Sequence, residues 1–296
     1  MNNIAMGEKT YFSSRSKKAQ CMLPLLVLVS VLLPLAGCSF ARHSMAALRS
    51  TRCFIPSEPD SRVLFEPGAE DCAGKIASFL PSAIRQVEEK QYHRFVEPVR
   101  VYVCSSRESF KKYYGADVRA GVLTKLFLSP RIFDFGDETA KKYLMHELSH
   151  LQLQQQLGIY RMSRLPMWFK EGVATYVSDG GGANLVTQNQ AILSLREGKS
   201  LVPNEADWFI FRKTPSDFDL EPHMFYRQSM MFISYLATLD EEGFRRFLLS
   251  VQNGERLHMA LQKVYNRRLE ELWNEFLHDI NRMSRLSNQH SIEIPS

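Results

Sequence analysis

From Glu138 to Leu157 the chain contains neither proline nor glycine, and in the middle of that stretch stand His146-Glu147-Leu148-Ser149-His150. Tyr143, Leu144, Leu148 and Leu151 give a helix here one buried side. The pattern predicts a long helix from Glu138 to about Gln156, capped by Asp137 and ended by Gly158. In a helix, residues four apart lie one turn above each other on one face. Two imidazole nitrogens can therefore meet one Zn²⁺ at roughly 2.0–2.1 Å. Glu147, beside the first histidine, can reach a water on the metal and take its proton. A reactive zinc site usually takes three protein ligands, so a fold built around this helix must bring a third from elsewhere.

The candidate lies in Pro166-Met-Trp168-Phe-Lys-Glu171-Gly172-Val-Ala174-Thr-Tyr176, which reads as a second helix from about Trp168 to Ser178. Gly172 and Ala174 suit close packing of two helices around a metal, with Trp168 and Tyr176 anchoring the far side. His146-Glu147-x-x-His150 followed by Trp-x-x-Glu171-Gly-x-Ala resembles the gluzincin metallopeptidases, the clan of thermolysin and aminopeptidase N, and particularly its short peptidase-MA-like domains. The likeness covers roughly Val99 to Ile280 in layout and about thirty residues in sharp motif. It implies a zincin-like α+β fold, zinc ligands His146, His150 and Glu171, and Glu147 as general base. It also implies a later tyrosine or histidine that donates to the oxyanion; Tyr226 is the first candidate and His223 the second. Thermolysin-like enzymes carry an aspartate four residues after the third ligand, where this chain has Thr175; Asp179 lies further on. The glycine-rich motif with which aminopeptidases bind a substrate amine is absent before the zinc helix, so N-terminal trimming is not supported.

Ahead of the site, Glu70 to Lys90 reads as a helix, and Val99 to Cys104 alternates like a strand. Ser105 or Ser106 then caps a short helix through Phe110 and Tyr113. Val122 to Leu128 reads as a second strand bordering the cleft, able to hold an extended peptide by main-chain pairing. From about Thr187 to Pro222 short helix and loop are mixed; Gly180–Pro222 reads as a surface excursion in preference to a lid over the cleft, and helical patterns follow from Met224. Strands and helices first, then helices alone, predict an α+β domain with two lobes: a small mixed sheet with helices, then a mainly helical lobe.

The N-terminus is a targeting segment. Lys17 and Lys18 precede an apolar run from Cys21 to Leu35, which enters Leu35-Ala36-Gly37-Cys38. The last four residues resemble the lipobox of bacterial lipoproteins, implying cleavage before Cys38 and diacylation of that cysteine; an uncleaved membrane anchor is the alternative. Ser39 resembles the residues that send such lipoproteins to an outer membrane, in a host with two membranes. The expected layout is a signal peptide over 1–37, a lipidated tether over 38–67 and a metallopeptidase-like domain over 68–296, its active-site helices at about 138–178. Of the formal charge of +5, a net +3 lies before Cys38, which leaves +2, too little and too scattered to argue for nucleic acid. Export would place Cys53, Cys72 and Cys104 in an oxidising compartment, where at most one pair forms, Cys72 with either neighbour. The expected function is zinc-dependent hydrolysis of peptides or unfolded proteins of the cell envelope. The alternative is a zinc-binding, peptidase-like envelope assembly or binding factor with little proteolysis.

Overall fold

The computed structural model describes residue 46, residues 48–207 and residues 212–290, with side chains described to 282. The apolar run, Cys38 and Ser39 lie outside the described residues, among which no helix is long and apolar enough to cross a membrane.

The chain opens with β1 (Ile55–Pro56), β2 (Val63–Phe65), α1 (Glu70–Gln91), β3 (Val101–Val103) and α2 (Arg107–Tyr114). Next come β4 (Ala120–Val122), β5 (Leu126–Leu128), α3 (Asp137–Arg164), α4 (Met167–Val177) and α5 (Gln188–Arg196). It closes with α6 (Pro222–Leu239), α7 (Glu241–Gln252), α8 (Leu257–Tyr265) and α9 (Leu269–His290). The class is α+β, rich in helix, with one small mixed sheet. Its order is β1-β2-β3-β5-β4; β2, β3 and β5 run parallel, while β1 and β4 are antiparallel to their neighbours.

The pleat sorts the strand residues onto two faces. Val63, Phe65, Val101, Val103, Leu126 and Leu128 point into the main core, which continues without a break through the helices to Ile280. Tyr102 and Phe127 point the other way and meet Phe54, Phe110 and Tyr113 in a second cluster. Phe127 lies 5.6 Å from Tyr113, stacked, and 5.2 Å from Tyr102. Burial on both faces explains why the strands read as apolar runs with weak alternation.

Several expectations change. Val122 to Leu128 is not one strand but the hairpin β4–β5, closed by a turn in which Leu123 N donates to Lys125 O at 3.2 Å. No glycine or proline marks that turn, so the apolar pattern hides it. The described part of the expected tether is built into the domain: Phe54 is buried, and β2 pairs with β3. Asp137 is the first helical residue and not the cap, which is Gly136 at φ 84°; its carboxylate meets Lys75 Nζ at 2.9 Å. Gly158, at φ 72°, kinks α3 instead of ending it. Among the described residues there is no disulfide, and Cys53, Cys72 and Cys104 are free. Cys72 packs against the main core, whereas Cys104 sits in the second cluster across the sheet and Cys53 bonds Tyr113 Oη at 3.2 Å beside it. The described part of Gly180–Pro222 is packed into the domain through Ala183, Ala191, Leu195, Leu201 and Leu220, which are buried, while other residues of the stretch are exposed.

Candidate metal centre

The centre lies where α3 and α4 face each other under the sheet edge. Leu144, Leu148 and Leu151 pin α3 into the core, which leaves His146, Glu147 and His150 on the side that lines a cleft of about 780 Å³. Trp168 and Phe169 pin α4; the Trp168 indole packs on Phe232, and its N–H donates to Asn204 O at 2.8 Å. Glu171 then faces α3. The small residue beside it serves a different neighbour from the one expected. A Cβ on Gly172 would stand 2.9 Å from the Ser229 carbonyl oxygen, so this glycine admits α6, not the metal helix.

Three side-chain atoms converge. His146 Nε2 lies 3.1 Å from His150 Nε2 and 3.2 Å from Glu171 Oε2, and His150 Nε2 lies 3.4 Å from the same oxygen. His146 Nδ1 lies 3.0 Å from the Gly181 carbonyl oxygen, to which it can only donate. Neutral His146 therefore presents a lone pair on Nε2, facing a carboxylate and a second imidazole. Lone pairs crowded in this way suit a cation between them, and the group can hold a metal ion. The chemistry of the donor set thus fits a metal.

The orienting contact for His146 comes from the glycine turn after α4. A Cβ on Gly181 would stand 2.5 Å from Lys142 O, and one on Gly182 3.1 Å from His146 Cε1. Only glycine lets this turn lie against the metal helix, which is how the turn supplies its carbonyl. Neither position considered in the sequence does so. Thr175 is buried with its hydroxyl unpartnered, and Asp179 turns away to accept from Lys90 Nζ at 2.5 Å and Gln86 Nε2 at 2.9 Å. Three glycines in a row after the second helix were the visible signal.

Burial pushes the Glu147 carboxyl up to about 7, with the Glu171 charge adding to this and His146 opposing it. For Glu171, burial acts upward, but His150 and His146, both close against its oxygen, outweigh it and hold the carboxyl well below its usual range. The Tyr226 ring stacks on His146 at 6.0 Å between centroids, and the Glu171 charge, burial and Glu147 keep its phenol protonated far above the ordinary value. His223 lines the same cleft with Nδ1 buried and unpartnered; burial and Arg119 push its pKa down.

Two cleft residues carried no sequence signal. Tyr114, at the end of α2, covers Gly121 so closely that no side chain fits at that position. Its phenol is pushed up by burial and by the charges of Glu147 and Glu171. Lys170, one residue before Glu171, is buried, and burial with Arg212 nearby lowers its pKa to about 8. The opposite wall is β4, the edge of the sheet, whose Ala120 and Val122 line the cleft. No protein-family model matches the chain, and no curated protein matches it either.

Proposed function

We propose that the chain is a zinc metallopeptidase of the gluzincin type, exported from a bacterial cell and held on a membrane, the outer one where the host has two, by a lipid on Cys38. One observation carries the catalytic reading: the ligand atoms of His146, His150 and Glu171 form a triangle with edges of 3.1, 3.2 and 3.4 Å. Ligands at roughly 2.0–2.1 Å around a tetrahedral zinc stand about 3.3–3.4 Å apart, so the triangle suits that ion and leaves a fourth position. When bound, zinc would lower the pKa of a water and polarise a substrate carbonyl.

The remaining work belongs to the chain. Glu147 touches no ligand duty and lines the same cleft, so it takes the proton of the attacking water and returns it to the leaving amine. A carboxyl near neutrality is suited to both directions of transfer. Tyr226, whose phenol stays protonated and whose ring stacks on His146 in the cleft, would donate to the oxyanion of the tetrahedral intermediate. His146 is held in its ligating tautomer by the Gly181 carbonyl. An extended peptide of a cell-envelope protein pairs its main chain with β4, adding a strand to the sheet edge.

The test is zinc content of the full-length chain, wild type beside Glu171→Ala, followed by hydrolysis of unfolded protein with and without a chelator. About one zinc per chain, lost in the variant, is expected. Wild-type protein without zinc would sink the reading, and zinc without hydrolysis would favour a peptidase-like binding factor. Incorporation of labelled palmitate, lost in Cys38→Ala, tests the anchor.

A further inference from the structure

Cations line the metal cleft in two groups, which differ in how their charges are answered. In one group Arg131 Nε lies 3.3 Å from Asp134 and its Nη1 3.4 Å from Asp117, and Arg119 lies 3.5 Å from Asp134. The other group is Lys170 and Arg212. Among the described residues neither has a carboxylate oxygen within 4.0 Å. The acids nearest Lys170 are already committed. Glu171 turns its oxygen to the two histidines, and Asp207 accepts from Met167 N at 2.9 Å and Asn204 Nδ2 at 2.9 Å.

Lys170 is the sharper case. The residue is 7% exposed, yet among the described residues its Nζ has one bond, to the Met162 carbonyl at 3.4 Å. An ammonium carries three donors, and a buried charge is normally paired or fully hydrogen-bonded. Arg212 stands close enough for its charge to oppose that of Lys170. Two like charges held together, one of them buried and with donors to spare, are costly to a protein that gains nothing from them. They suit an incoming anion, and Ile159 and Met162, which line the same cleft, offer apolar surface to the carbon stem that carries it.

We propose that the part of the cleft lined by Lys170 and Arg212 is a subsite for a carboxylate of the bound peptide, with these two residues as its counter-charges. The carboxylate belongs to an aspartate or glutamate side chain or to the peptide's C-terminus. The ligand's being a peptide rests on the peptidase reading above; the anion preference rests on the two cations alone. A neutral amide in the same place leaves the ammonium uncompensated, and a lysine is repelled.

The experiment uses the full-length, zinc-loaded chain and two sets of fluorescent peptides. One set differs only in carrying Glu, Gln or Lys at a single scanned position; the other differs only in a free or amidated C-terminus. Binding is read by anisotropy on Glu147→Gln, and cleavage on the wild type. At one position, or at the C-terminus, the carboxylate form is expected to bind and react about tenfold better than its amide, the worth of one charge-assisted hydrogen bond. Lys170→Met should remove most of that ratio, Arg212→Gln part of it, and Lys170→Glu should turn the preference towards lysine. A Lys170→Met chain that keeps its zinc rules out simple collapse of the site, and exposed Arg212 gives a second, independent variant. A carboxylate-to-amide ratio of one in every peptide cleaved would overturn the subsite and leave the peptidase reading standing. A ratio of ten in binding without any cleavage would do the reverse. Neither binding nor cleavage would overturn both.

Discussion

The two walls of the cleft are built by different physics. The α3–α4 wall is helical, and each ligand sits on a face that local periodicity selects. Leu144, Leu148 and Leu151 turn inward, so His146, Glu147 and His150 must turn outward. The sheet wall is β4 carried on β5, two strands of three residues each, which cannot hold a conformation alone. It exists because Leu126 and Leu128 are pinned in the main core and Phe127 is pinned among Tyr102, Tyr113 and Phe54 on the other face. On the proposed function, chemistry and stability are therefore separable: the helical wall carries the proposed reacting groups, and the sheet wall carries packing that the candidate ligands do not supply.

Substitutions can break or sharpen that contrast. Glu147→Gln should lower hydrolysis by about 10²–10⁴-fold, the usual worth of a general base, with zinc still bound. Its melting temperature should not fall, because burial already disfavours the Glu147 charge; a large loss of stability would mean that this wall mixes the two roles. Phe127→Ala should do the opposite, costing about 3–5 kcal/mol in chemical denaturation while the folded fraction keeps its metal. Zinc loss from molecules that remain folded would show that the sheet helps hold the ligands. Gly181→Ala places a Cβ 2.5 Å from Lys142 O and must move the carbonyl that orients His146. A zinc affinity lower by about 10–100-fold, read by competition with a chelator, is expected. Gly172→Ala is the smallest case. Its Cβ meets Ser229 O at 2.9 Å, so separating α4 from α6 should cost about 1–3 kcal/mol in denaturant titration, with little change in zinc affinity.

The same contrast explains what could be read before folding was known. The helix pair holding His146, His150 and Glu171 is visible in sequence because helical spacing is local: four residues make one turn whatever lies around them. Strand pairing is not local. Val122-Leu-Thr-Lys-Leu-Phe-Leu128 looks like one strand until β5 finds β3 at the register Val101↔Leu126 and β4 folds back on it. Ile55–Pro56 and Val63–Phe65 are too short to show a period, and they become strands through their partners alone. The kink at Gly158 and the cap at Gly136 needed backbone angles that composition does not specify.

By itself the sequence determined the helical wall and the kinds of atom it offers, two imidazoles and a carboxylate with a second carboxylate beside them. It also set the order in which sheet and helices follow. Tertiary structure decided which atoms surround those groups. The His146 partner is a backbone carbonyl, which no residue type encodes, and it arrives because Gly181 and Gly182 have no side chains to block the approach. Lys170 is an ordinary helix lysine until the packing around α4 buries it, where desolvation makes its charge matter. Tyr114 reaches the cleft because Gly121 opens the edge strand to it. Periodicity is a property of neighbours in the chain, while burial, charge balance and hydrogen-bond partners belong to neighbours in space.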